Sequence, residues 1–172
     1  MSIALLVARL VLGLGLAAHG AQKLFGWYGG PGLKGMEGFM ESMNMRPAKL
    51  FAFAAGMGEF AGGLLIALGF LGGIGPGLLV IVMLTAIFTV HWGKGFFSAN
   101  SGWELPGTYI AGALAIDFAG FGIYSIDKAI GWSALGTDAD RWIILGAAVV
   151  IALLNAGVRY LPHRPPSAIP AK

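Results

Sequence analysis

The chain has 172 residues, of which 57% are hydrophobic and only 11% charged, where a soluble domain carries about 25% charged residues. Its 29 glycines lift the apolar-plus-glycine share to about 74%, against a usual ~45–50%, and the mean hydropathy is +0.78. This excludes a soluble globular protein, a disordered chain and a coiled coil. The absence of cysteine excludes disulfides, thiol redox chemistry, iron–sulfur clusters and cysteine-bound zinc. The net charge of +3 reads as membrane topology and not as a nucleic-acid footprint.

A membrane-spanning helix needs about 20 mostly apolar residues, and five stretches qualify. The first, Ile3–Phe25, carries Arg9, His19, Gln22 and Lys23. It has no basic residue ahead of its apolar run, so it reads as a retained span and not as a cleaved signal. Gly13, Ala17 and Ala21 fall at four-residue spacing along it, a small-residue seam that lets helices approach closely in lipid. The connection 26–48 opens on glycines. Its second half places Met36, Phe39, Met40 and Met43 at three- and four-residue steps, the pattern of a short amphipathic helix at the membrane surface. The second span, Leu50–Leu71, holds Glu59 and a Gly58/Gly62 pair. The third, Ile74–Val90, is uncharged. His91 follows, and then a loop, Trp92–Gly107, whose aromatic residues suit the membrane–water boundary. The fourth span, Thr108–Tyr124, holds Asp117 and an Ala111/Ala115/Ala119 seam, and the fifth is Trp142–Leu161. The Pro-rich segment after Leu161 reads as a disordered tail.

The predicted fold is therefore an all-α polytopic membrane bundle. Lys23, Lys34, Arg46, Lys49, Lys94, Arg159, Arg164 and Lys172 fall on the side of the 26–48 connection, against Arg9, Lys128 and Arg141 on the other. Lysine and arginine favour the cytoplasm, so this basic side, with the C-terminus, is expected to be cytoplasmic.

Ionisable groups within a membrane are costly and mark function by default. The antiparallel path gathers His19, Gln22, Lys23, Glu59, His91 and Glu104 toward the basic side, where they are expected to line a ligand-binding cavity. Glu59 lies ~14 Å along its helix from that side at 1.5 Å per residue. It needs a donor, and His19 and His91 are the candidates nearest in depth, with Lys23 and Lys94 behind them. Toward the far side, Arg9 is expected to form a structural ion pair with Asp127, or with Asp117. The two histidines differ in depth by ~9 Å, which argues against shared haem ligation. No metal signature accompanies them, so no metal site is assigned.

Several segments carry a resemblance. Arg9–Gly13 is followed by His19-Gly20-Ala21-Gln22-Lys23-Leu24-Phe25-Gly26-Trp27-Tyr28-Gly29-Gly30, then by Gly58-Glu59-Phe60-Ala61-Gly62-Gly63 and by Val90-His91-Trp92-Gly93-Lys94-Gly95-Phe96-Phe97. Gly120-Phe121-Gly122-Ile123-Tyr124-Ser125-Ile126-Asp127 completes the series. Together these resemble the DoxX family of small bacterial inner-membrane proteins over about residues 3–130. The resemblance implies a four-helix membrane domain over 1–130, to which this chain adds a transmembrane helix within 131–161 and a tail at 162–172. Some relatives are subunits of thiosulfate:quinone oxidoreductase, and others belong to membrane redox complexes that handle thiols and oxidative stress. The motif positions carried over are Arg9, His19, Gln22, Lys23, Glu59, His91, Glu104 and Asp127. The expected function is a membrane subunit of a redox system that binds a quinone or similar small amphiphile at the basic-side cavity. A protein partner in that complex would supply the electrons, in the bilayer of the bacterial inner membrane, with self-association open. A non-enzymatic scaffold or a small-solute transporter is the alternative. Against transport, the sequence shows no inverted repeat and no paired broken helices.

Overall fold

The computed structural model describes residues 2–162, so the expected tail at 162–172 lies almost wholly outside the described residues. The described residues form seven α-helices and no strand. These are α1 (Ser2–Phe25), α2 (Gly32–Ser42), α3 (Ala48–Leu68), α4 (Ile74–Ala86), α5 (Glu104–Ala119), α6 (Ile126–Ile130) and α7 (Asp138–Val158). Beyond α4 the chain tightens into a π-helix, Ile87–His91, and then a 3₁₀ turn, Trp92–Lys94.

Four stretches are long and apolar enough to cross a bilayer: Ile3–Phe25, Ala48–Leu68, Ile74–Lys94 and Asp138–Val158. The fourth expected span, Thr108–Tyr124, is shorter than the sequence pattern indicates. Helix α5 has 16 residues, about 24 Å at 1.5 Å per residue, below the ~30 Å hydrocarbon thickness. It stops because Gly120 leaves helical geometry at φ +77°. The last helix begins four residues earlier than its apolar run. Thr137 and Asp140 form a reciprocal capping box there, each side chain bonded to the other's backbone N–H.

Small residues set the closest packing. A Cβ on Gly13 would stand 2.5 Å from the Gly63 carbonyl oxygen, and one on Gly63 would stand 2.5 Å from that of Gly13. The α1 and α3 backbones are thus in mutual contact, as the Gly13/Ala17/Ala21 seam predicts. Gly58 and Gly62 pack on Val82 and Leu78 of α4. The expected alanine seam of α5 does not form: Ala111, Ala115 and Ala119 are exposed, and α5 buries Ala113, Ile116 and Asp117 instead. Leu16, Ile66, Leu79, Met83, Ala113 and Ile116 make the central apolar core. A second cluster lies where α2 folds onto α3, with Met36, Met40, Met45, Ala48 and Ala52 buried together.

Candidate functional site

The basic end of the bundle holds a pocket of about 280 Å³ between α2, α3, the α4–π-helix segment and α7. Its walls are mainly apolar: Met36, Phe39, Met40 and Met43 from α2, Met45, Phe51, Ala54 and Ala55 around the start of α3, and Ile81, Val82, Ala86 and Val90. The polar points are Lys23, Thr85, Thr89, His91 and Asn155. Thr85 and Thr89 turn their hydroxyls back onto the carbonyls of Ile81 and Thr85, each at 2.7 Å. Lys23, His91 and Asn155 are left as the groups able to hold a polar ligand atom.

Lys23 reaches this wall because α1 and α3 lie so close. Gly56 has no side chain to hold off Lys23 and Leu24, since a Cβ there would stand 2.7 Å from the Leu24 side chain. One turn along α3, Glu59 is 3% exposed, and its Oε1 accepts a hydrogen bond from the Lys23 ammonium in an ion pair. Its Oε2 is buried without a partner. The pair is asymmetric, with the carboxylate enclosed and the lysine side chain 26% exposed. The carboxylate therefore holds the ammonium of a partly exposed lysine.

The π-helix brings His91 to the pocket. Insertion of one residue per turn leaves carbonyls misaligned with the α-helical ladder, a device frequent at functional sites. The carbonyl of Thr89 is taken by Arg159, at the C-terminal end of α7, at 2.9 Å. Asn44, between α2 and α3, in turn donates to the Arg159 carbonyl at 2.7 Å. The end of α7 thus ties the π-helix to the α2–α3 turn around the pocket. His91 Nδ1 stands 2.6 Å from the carbonyl oxygen of Ser101.

The remaining expected site residues lie apart from this group. His19 is exposed and stacks edge-on against Tyr109, with ring centroids 6.2 Å apart. Of the expected candidates for Glu59, the two histidines first with Lys23 and Lys94 behind them, the donor found is Lys23. His19 is out of reach because it faces outward, and Lys23 covers the greater depth difference with its long stem. Gln22 donates to the Tyr28 carbonyl at 3.5 Å. Glu104 accepts from the Ser98 N–H and hydroxyl at 2.8 and 2.9 Å. These bonds hold its carboxyl below the ordinary carboxylate range. It orders the loop behind His91 and does not line the pocket.

At the far end the expected Arg9–Asp127 ion pair is replaced. Arg9 is wholly buried, donates Nη2 to the Tyr124 carbonyl at 3.0 Å and stands 5.9 Å from the Phe121 ring centroid. Asp127 is taken by backbone, accepting from the N–H groups of Leu71 and Gly72 at 3.0 and 2.8 Å. Both residues meet the α3 terminus, where a Cβ on Gly69 would lie 1.8 Å from Arg9 Nη1. Asp117 pairs with Arg141 at 3.6 Å. A second cavity of about 370 Å³ opens beside these groups, but the acids that line it are already occupied in holding turns and helices together. The basic-end pocket is the candidate site.

Sequence reasoning missed the methionine walls, Asn155 and the Thr85/Thr89 pair. The Met36/Met40/Met43 spacing marked an amphipathic face but did not say what it covers. Among the described residues no three His, Asp or Glu side chains gather as a metal would require.

Helices of this length and apolarity, packed through backbone-contact glycines around a mainly apolar pocket at one end, define a polytopic α-helical membrane protein. The chain belongs to the DoxX family, whose family model matches residues 4–92. That stretch runs from α1 through the π-helix and contains every residue lining the pocket except Asn155. Comparison with curated proteins gives no match, and neither does comparison with solved structures.

Proposed function

We propose that the protein is a membrane subunit of a redox system in the bacterial inner membrane, holding a quinone headgroup in the basic-end pocket. The observation that carries this reading is the pocket's composition: mainly apolar walls with a pinned ammonium at Lys23 and a second polar pole at His91. Ligand sites are commonly mainly apolar, with a few convergent polar groups that fix orientation. At about 280 Å³ the pocket lies at the lower edge of the ~300–1,000 Å³ usual for ligand sites. It suits a single or fused ring whose prenyl tail leaves into lipid. Methionines are adaptable walls for a flat, polarisable ring.

In this reading the bound ring supplies the electron-accepting chemistry, and the chain's own residues orient it and hold protons. Lys23 Nζ donates to a ring oxygen. Glu59 keeps the ammonium in place. Electrons come from a protein partner. The basic end faces the cytoplasm, α5 crosses as a fifth and shorter span, and residues 131–161 form an addition to the family's domain.

The test is titration of the purified, detergent-solubilised protein with a short-chain naphthoquinone, followed by tryptophan quenching and calorimetry. Saturable binding is expected, lost when Ala55→Phe fills the pocket and weakened at least tenfold by Lys23→Met. Binding unaffected by Ala55→Phe would place the ligand elsewhere and end this assignment. A scaffold with no ligand would show no saturable binding in the native protein.

A further inference from the structure

We propose that His91 makes the pocket prefer a ring hydroxyl to a ring carbonyl, and hence the reduced form of a quinone-type ligand over the oxidised form. This rests on the quinone reading above and goes beyond it to the redox state that the site selects.

The argument begins with a proton. The Nδ1 atom of His91 is 2.6 Å from the Ser101 carbonyl oxygen. A carbonyl oxygen has no hydrogen to give, so Nδ1 must carry the N–H of this bond. Neutral imidazole has a single N–H, so Nε2 is left with a bare lone pair and can only accept. The tautomer is thus set by the loop.

That loop is itself held. Trp103 N–H bonds to the Gly95 carbonyl and Glu104 N–H to that of Phe96, at 3.1 and 2.8 Å. The N–H groups of Ser101 and Gly102 bond to the carbonyls of Ser98 and Phe97. Glu104 clamps Ser98 from the other side. The Ser101 carbonyl is therefore a fixed acceptor, and the neutral ring of His91, which lines the pocket, keeps one tautomer.

The two polar poles of the pocket then have opposite character. Lys23 is donor-only, while Nε2 of His91 is acceptor-only. Asn155 offers both and does not discriminate. A hydroquinone meets this pair with an oxygen lone pair toward Lys23 and an O–H toward Nε2. An oxidised quinone presents a carbonyl lone pair to Nε2, where two acceptors face each other and no hydrogen bond forms. The expected preference is at least tenfold, about 1.4 kcal/mol by the conversion of affinity to free energy. By linkage, a site that binds the reduced form more tightly makes its bound quinone the stronger oxidant.

The experiment uses the full chain in detergent at pH 8 under anaerobic conditions. A short-chain naphthoquinone and its dithionite-reduced hydroquinone are titrated in parallel; the chain has no cysteine for the reductant to alter. The native protein is expected to bind the reduced form at least tenfold more tightly. His91→Phe should bring the ratio near one, and His91→Gln, whose amide oxygen can accept, should restore part of it. Equal affinities in the native protein, or a ratio unchanged by His91→Phe, would overturn the role of His91 and leave the quinone site standing, provided Ala55→Phe still abolishes both. Failure of the native protein to bind either form would overturn the quinone reading and this inference with it. Should His91→Phe not fold, the native ratio and His91→Gln decide the matter.

Discussion

Breaking the Lys23–Glu59 pair tests the site's foundation. In Lys23→Met the carboxylate of Glu59, 3% exposed, loses the one hydrogen-bond partner of Oε1 while Oε2 already has none. Removing one member of a buried ion pair costs about 3–5 kcal/mol. The lysine side chain is 26% exposed, so part of its interaction is screened and the lower value, about 3 kcal/mol, applies. For a chain of this size about 1 kcal/mol moves the melting temperature by roughly 2–4 °C, so a fall of roughly 6–12 °C is expected. Glu59→Gln keeps an acceptor for the ammonium and should cost less, about 1–2 kcal/mol, as a charge-assisted bond becomes an ordinary one. The double variant Lys23→Met/Glu59→Leu removes both charges from an apolar wall and should recover most of the loss, since a buried pair exchanged for apolar groups is often neutral. Melting in detergent, followed by circular dichroism on the native protein, Lys23→Met, Glu59→Leu and the double variant, reads the cycle. Strict additivity of the two single losses would refute the pair as a coupled unit.

Gly63→Leu should prevent assembly of the α1–α3 contact, because its Cβ alone would meet the Gly13 carbonyl oxygen at 2.5 Å. Gly146→Ala on α7, with nothing within 4 Å, should behave as the native protein on size-exclusion chromatography. Asp127→Ala leaves the N–H groups of Leu71 and Gly72 unpaired, that of Gly72 buried, where the cost is about 1–3 kcal/mol, and should lower the melting temperature by more than Arg9→Met does. Glu104 has a depressed carboxyl, so its contribution to loop order holds above the ordinary glutamate range and fades as pH falls through and below it. Trp103 fluorescence should show an acid transition that Glu104→Ala abolishes. A C-terminal fusion to a reporter active only in the cytoplasm should signal, and one active only in the periplasm should not; the reverse would reject the orientation.

The bundle was legible in the sequence because a bilayer imposes simple rules. Spans must be long and apolar, and small residues at four-residue spacing must find one another, as Gly13 and Gly63 do. The same spacing misled at Ala111, Ala115 and Ala119, which face outward. Spacing shows that a helix has a flat face, not that a partner covers it. The end of α5 was misjudged because Gly120, Phe121 and Gly122 are apolar by composition while Gly120 and Gly122 take positive φ. Hydropathy does not register backbone conformation.

The site was half legible for a related reason. Depth along a helix follows from counting residues, and it brought Lys23, Glu59 and His91 to one end. Rotation about the helix, stem length and backbone acceptors do not follow from counting. They decided that Glu59 pairs with Lys23 and not with a histidine, that His19 faces outward, and that Asp127 serves two peptide N–H groups. Asp127 and Arg9 each took a backbone partner. For Asp127 that was the α3–α4 turn, and for Arg9 it was a carbonyl. Polar capacity is left over at both ends: Arg9 Nε and Nη1 and Arg141 Nε are buried without a hydrogen-bond partner on the far side, as Glu59 Oε2 is on the basic side. Nε2 of His91 is an acceptor by the logic of its tautomer. At the basic end this capacity lies beside a mainly apolar pocket, where a ligand or water can complete a buried polar group that lipid cannot; that juxtaposition is what supports the proposed site.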